Sequence, residues 1–476
     1  MFLCKNRINK TILALCMITV FTALTGCEGE EGDAQALEQA AESPVIVVEH
    51  LEDDNSVILP EVTDVPAEPE PEEEPPVEED IYDPVGKVYS MHAASDAETT
   101  LAFVGDIGFA EGYATINVCR AQPNGIFDCI QPGVMEIMQG VDIMMANNEF
   151  PYSDRGSPTP NKTYTFRARP ETVSLMTDMG VDIVSLANNH AYDYGPDALM
   201  DTFDILEGAR LPYVGAGRNI AEARKPVYYH INGHVVSYVS ATQIERYANP
   251  DTKEATETEP GVLRTLDSAM ACEVIREAAA NSDFVVMYVH WGSESTDLVE
   301  DSQRNLAKAY VEAGADLIIG DHSHCLQGID YIEDVPVFYS LGNYWFNSKT
   351  LDTCIVKVTL NEEFDIGDVE FIPCIQKGSK VYLGDGDNYD RILGYMRGIS
   401  NYAEISDRGI VTKSDTNHNT QNGQNTSPAK KVETPAEPEV PEVDPDAMQA
   451  LIDMMNAQAA GGVIPEAGDG SQVPTQ

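Results

Sequence analysis

The sequence is short of cations. It carries 29 Lys and Arg against 79 Asp and Glu in 476 residues, a formal charge of −50. Such a chain gains nothing by counterion release from a nucleic-acid backbone, which excludes a sequence-independent nucleic-acid binder. It has no electrostatic pull toward anionic lipid either. No two of its nine cysteines have the CxxC spacing of a thiolate metal site. The N-terminal apolar run, Thr11 to Ala23, has 13 residues, short of the ~20 needed to span a bilayer. The charge is also uneven. Residues 28–98 hold 23 acids and one base, residues 413–476 a net of −7, and residues 99–412 a net of −24. With 43% hydrophobic residues overall, the middle can still bury a large core.

The N-terminus has the plan of an export signal: Lys5, Arg7 and Lys10, then the apolar run, then Leu24-Thr25-Gly26-Cys27. The LTGC ending resembles the lipobox of bacterial lipoproteins. That resemblance implies removal of 1–26, acylation of Cys27, and anchoring on the extracytoplasmic face of the cell membrane. Six cysteines then remain: Cys119, Cys129, Cys272, Cys325, Cys354 and Cys374. Cys119–Cys129 and Cys354–Cys374 are the near-neighbour pairings; free buried thiols are the alternative.

Residues 27–98 read as a Pro/Glu-rich linker, too polar to fold and extended by its own charge. Residues 413–476 read as a low-complexity tail with one short helix near Ala447–Ala459. Between them, 99–412 alternates strand-like apolar runs with helical patterns, the signature of an α/β fold. A near-repeat recurs at Gly140-Val141-Asp142, Gly180-Val181-Asp182 and Gly314-Ala315-Asp316. In each a helix is expected to end on a glycine in the left-handed region, followed by a buried strand.

Five apolar runs end in polar residues: at Asp106, at Glu149, at Asn189-His190, at His290, and at His322-Ser323-His324. Ligands in α/β sheets gather outside the carboxyl ends of parallel strands, so parallel pairing would bring all five ends to one edge. These oxygen and nitrogen donors suit Mn, Zn or Fe as a divalent ion. They divide into two positions bridged by a carboxylate.

Taken in order, VGDIGFA, NNEFP, LANNHAYDYG, VHWGSE, GDHSH and YSLGNYWFN resemble the CapA (PGA_cap) branch of the calcineurin-like metallophosphoesterase superfamily, over about 99–375. The resemblance implies a layered α/β/β/α sandwich. It implies Asp106, Glu149, Asn189, His290, His322 and His324 as metal ligands. His190 and Asp193 then match a catalytic His–Asp dyad. The superfamily usually opens with Asp-x-His, whereas here Gly108 stands in the histidine's place. One ligand of the first metal is missing, which leaves one ion, or two with one loosely held.

The family name implies poly-γ-glutamate or a related anionic cell-envelope polymer as partner, within a capsule synthesis or export complex. Residues 151–170 hold Arg155, Lys162, Arg167 and Arg169 against Asp154 alone. This loop reads as an anion-binding lip, with Lys162 or Arg167 reaching a phosphate or carboxylate; an unrelated solvated loop is the alternative. Trp291, Tyr344 and Trp345 read as core, or else as the wall of a groove. Two functions follow: a metal-dependent hydrolase of a phosphoester or γ-glutamyl polymer, or a non-catalytic polymer-binding component.

Overall fold

The computed structural model describes residues 81–244 and 252–419. Cys27, residues 1–26, most of the linker and the tail beyond 419 lie outside them.

Two sheets carry the fold. One runs from edge to edge through Lys380–Leu383, Ile366–Lys377, Leu351–Leu360, Thr99–Ile107, Ile143–Asn148, Ile183–Ser185 and Tyr213–Val214, with Asn343–Trp345 also paired to Thr99–Ile107. The other runs through Tyr82–Asp83, Val88–Ser90, Val227–Ile231, His234–Thr242, Phe284–His290, Leu317–Asp321, Val335–Phe338 and Ile329–Ile332. Three candidate strand ends belong to the first sheet and two to the second. The single shared edge expected from sequence is therefore two edges that meet. Within each sheet the relevant strands do run parallel.

Side-chain alternation builds the layers. Leu101, Phe103, Ile143 and Met145 of the first sheet share a core with Val236, Tyr238, Val286 and Tyr288 of the second. The alternate residues Ala102, Val104, Met144 and Ala146 face outward onto the helices Pro132–Gln139 and Gly195–Gly208. On the far side, Val285, Met287 and Val289 pack on the helices Ala269–Asn281 and Asp301–Ala313. Both faces of each strand are covered, which is why these runs are apolar throughout. The result is the α/β/β/α sandwich.

The near-repeat has a job that the sequence reading overlooked. The Asp142 carboxylate accepts from Thr100 N–H (2.7 Å) while Asp142 N–H donates to Thr100 O (3.1 Å). Asp182 does the same with Met144 (2.8 and 2.9 Å), and Asp316 with Val285 (2.9 and 2.9 Å). Each aspartate clasps the amino end of the neighbouring parallel strand. The glycines are less uniform than expected. Gly180 and Gly314 are left-handed (φ +82° and +115°), but Gly140 has φ −96° and ends its helix without that conformation.

The folded body also starts before residue 99. Strands Tyr82–Asp83 and Val88–Ser90 extend the second sheet, Val88–Ser90 pairing with Val227–Ile231. The buried Lys87 anchors them, its Nζ donating to Tyr213 O (3.2 Å). Enough contact with the body is present here to order a stretch whose composition alone suggests a linker. At the other end, strand Val411–Lys413 and residues up to 419 continue past the expected boundary at 412.

Candidate metal centre

The carboxyl ends converge across the gap between the sheets. His290, last residue of its strand, sends Nδ1 to Asp321 Oδ1 (2.8 Å) and Nε2 to Asn189 Oδ1 (2.8 Å). His322 Nδ1 lies 2.9 Å from that same Nε2. On the other side His324 Nδ1 meets Asp106 Oδ2 (2.9 Å) and Asn343 Oδ1 (2.8 Å), and Asn147 donates to Asp106 Oδ1 (2.9 Å). His322 and His324 both have positive φ (+84° and +55°), an unfavourable backbone for a side chain with a Cβ, of the kind held at functional sites. Two such residues in one loop turn both rings toward the cluster.

Glu149 sits between these halves. It is 0% exposed, and neither carboxylate oxygen has a hydrogen-bond partner. Burial pushes its carboxyl well above the usual range, and the charges of Asp106 and Asp321 push it further. An unpartnered buried carboxylate is costly unless a cation meets it. Burial likewise lowers His290 to about 3, so its ring is neutral. In the tautomer that gives Nδ1–H to Asp321, Nε2 keeps a lone pair for a cation. Burial acts to raise the Asp106 carboxyl, but the hydrogen bond and charge of His324 outweigh it and hold Asp106 low.

The donors therefore fit a divalent ion. Glu149, His290 and His322 offer ligand atoms within 4.8 Å of one another; so do Asp106, Glu149 and His324. Glu149 is common to both sets. A carboxylate holding the far nitrogen of a ligating histidine, as Asp321 holds His290, fixes the ring and its tautomer.

The dyad lies against this cluster. His190 Nδ1 is 2.7 Å from Asp193 Oδ2, and its Nε2 is 3.8 Å from Glu149 Oε1. The ring packs on Phe166, centroids 4.2 Å apart. Burial lowers the His190 pKa, against the pull of Asp193.

The basic lip behaves differently from its sequence reading. Lys162 turns inward: Nζ donates to Asp193 Oδ1 (2.6 Å) and Asn189 O (2.5 Å), with its side chain 5% exposed. Arg155 pairs with Asp201 and Arg169 with Glu171. Arg167 donates to Arg155 O (2.8 Å) and lies 4.2 Å over the Tyr194 ring. Three of the four charges thus face carboxylates of this chain. Trp291, Tyr344 and Trp345 are fully buried and belong to the core rather than to a groove wall.

A family described as Bacterial capsule synthesis protein PGA_cap matches residues 100–348, a span that includes every candidate ligand from Asp106 to His324. The chain belongs to the PGA_cap family. It is 31% identical over 273 residues to the PGA biosynthesis protein CapA of Bacillus subtilis, covering 56% of this chain and 69% of that protein. It is 31% identical over 290 residues to the capsule biosynthesis protein CapA of Bacillus anthracis, covering 59% and 68%. A probable polyglutamine synthesis accessory protein of Mycobacterium tuberculosis is 27% identical over 208 residues, covering 42% and 55%.

In this PGA_cap chain several site residues escaped the sequence reading. Asp321 immediately precedes His322, and its position at a strand end was the available signal. Asn147 and Asn343 carried no such signal, because amides are common in turns. The Gly108 position has a structural correlate: a Cβ there would come within 2.7 Å of the Phe346 ring. Phe346 also packs against His324 (centroids 4.9 Å). An aromatic ring occupies the space into which a side chain at 108 would grow.

Proposed function

We propose that this chain serves the synthesis or export of an anionic capsule polymer of the poly-γ-glutamate type, as a metal-dependent hydrolase. The support for the process is family membership together with the names of the two CapA relatives. The observation that carries the chemistry is Glu149: a buried carboxylate without partners, common to two ligand sets, 3.8 Å from a histidine that a second carboxylate holds.

Asp106, Glu149 and His324 would hold one ion, and Glu149, His290 and His322, with Asn189, a second. Bound Mn, Zn or Fe would supply Lewis acidity toward a phosphoryl or acyl oxygen and offset the charge of an anionic substrate. The chain's own contribution centres on His190. Asp193 fixes its Nδ1, which leaves Nε2 directed toward Glu149 to carry a proton to a leaving group. Phe166 covers one face of the ring and limits access of water.

A second reading, a polymer-holding component without catalysis, draws on Gly108 and Phe346, since the first ligand set lacks a residue there. Metal analysis of the full chain separates the two. It is to be combined with phosphoesterase and γ-glutamyl hydrolase screens on wild type and His190→Ala. Stoichiometric metal with turnover lost in the variant supports the enzyme. Metal-free wild type without turnover overturns it. For the membrane anchor at Cys27, fatty-acid labelling lost in Cys27→Ser is the expected result; unchanged labelling overturns it.

A further inference from the structure

Two cysteines outside the metal centre stand together. Cys119 lies in the helix Ala114–Ala121 and Cys129 follows the 3-10 turn Gly125–Asp128. Both are buried in one hydrophobic cluster, with Ile116, Ile126 and Ile130. The chain folds back between them: Gln122 N–H donates to Cys119 O (3.1 Å), and Cys129 N–H to Ile126 O (2.9 Å). The helix packs on the turn that precedes Cys129, and both thiols are free and buried in this structure.

No other cysteines among the described residues share this placement. Cys354 and Cys374 are neighbours in the ladder, but Cys374 opposes Thr353 and Cys354 opposes Pro373. Cys354 faces the core between the sheets, and Cys374 faces the helical layer on the other side. A bond between them would have to cross the sheet. Cys272 lies in the third core, away from both.

We propose that Cys119 and Cys129 form an oxidisable pair that closes to an intramolecular disulfide and clips the segment beneath the first metal-ligand loop. The oxidant is a disulfide, small or protein-borne. One cysteine thiolate attacks it and forms a mixed disulfide; the second displaces the partner sulfur. Two S–H bonds are lost, one S–S bond forms, and the incoming disulfide leaves as two thiols carrying the electrons and protons. Burial of both sulfurs in the folded protein places the exchange during folding and then shields the product from reduction.

The clip has a structural consequence near the metal centre. Thr115, in the first turn of the same helix, donates its hydroxyl to Gly108 O (2.6 Å), two residues beyond Asp106. Past Cys129 the chain joins the strand Lys380–Leu383, with Gln131 N–H donating to Val381 O (2.9 Å). A link from 119 to 129 ties these two attachments together and removes freedom from the unfolded chain.

Trypsin supplies a direct test. Arg120 is the only Lys or Arg between Lys87 and Arg155, so cleavage places Cys119 in peptide 88–120 and Cys129 in peptide 121–155. The full chain is folded with oxidised glutathione, alkylated in denaturant and digested without reductant. The expected product is 88–120 joined to 121–155, separated by dithiothreitol. Full alkylation of both cysteines, or linkage of either to a different cysteine, overturns the proposal. Thermal melting gives a second reading. Reductant should lower the Tm of wild type but leave Cys119→Ser/Cys129→Ser unmoved; an equal response in both proteins is the contrary outcome. The peptide result needs no variant and no activity, so it stands apart from the hydrolase reading.

Discussion

Lys162 Nζ lies 2.6 Å from Asp193 Oδ1, and that carboxylate's other oxygen accepts from Phe166 N–H and faces His190 Nδ1. One buried aspartate thus joins the loop at 151–170 to the histidine beside the candidate metal ligands. The Lys162 ammonium is taken up by this pair, its side chain 5% exposed. Lys162→Ala leaves Asp193 buried without its cation, which typically costs about 3–5 kcal/mol. Urea unfolding should show a loss of that order, while affinity for polyglutamate stays near wild type. A stability change under ~1 kcal/mol with a large loss of affinity would restore the anion-lip reading.

Glu149→Gln should move stability in opposite directions with and without metal. The raised pKa of Glu149 means that its ionised form opposes folding in the metal-free protein. Glutamine removes that charge, and the chelated variant should be more stable than wild type by on the order of 1–3 kcal/mol. Added Mn²⁺ should then stabilise wild type and do little for the variant. Differential scanning fluorimetry reads both effects; equal stabilisation by Mn²⁺ in the two proteins would remove Glu149 from the ligand set.

Asp182 offers a pH test away from the candidate metal centre. Burial pushes its carboxyl up to about 7, against the hydrogen bond from Met144 N–H. The acid is favoured protonated in the folded state, so its contribution is complete below the unfolded value near 4. It is then lost as pH rises to about 7, and amounts to at most ~4 kcal/mol. Asp182→Asn keeps an oxygen for Met144 and cannot ionise. Urea melts at pH 4, 5.5 and 7 should show wild type weakening relative to the variant. Parallel curves would contradict the assignment.

Gly108→His should fail to supply the missing ligand, because its Cβ would press within 2.7 Å of Phe346. The single variant should melt lower and bind no additional metal. Gly108→His/Phe346→Ala frees the space and should tighten Mn²⁺ binding at least tenfold, ~1.4 kcal/mol, by calorimetry. No gain in the double variant would show that Phe346 is not what closes the position.

The convergence of the candidate donors was legible because each directly follows an apolar run, and the ends of buried strands are where polar side chains can gather. The layering was legible only through resemblance. Nothing in VVMYV says that it pairs in a different sheet from LAFVG; partner choice depends on contacts distant in sequence. The inward turn of Lys162 was hidden for the same reason, since a count of charges in its loop cannot disclose Asp193, 31 residues later. The strands at 82–90 hid in a segment whose composition suits a linker, until Lys87 is seen reaching Tyr213. The cysteines show how register decides chemistry: Cys354 and Cys374 look paired by spacing, and the sheet puts them on opposite faces.

The aspartate clasps at Thr100, Met144 and Val285 lie at the amino ends of the strands, roughly 15–20 Å from the ends that carry Asp106, Glu149 and His290. A strand that slips by one residue turns every side chain to the opposite face. Whether Glu149 meets His290 or points into the helical layer is therefore decided at the remote margin of the sheet. The candidate metal centre has a distant zero point, and its alignment can be lost by a change that touches none of its side chains.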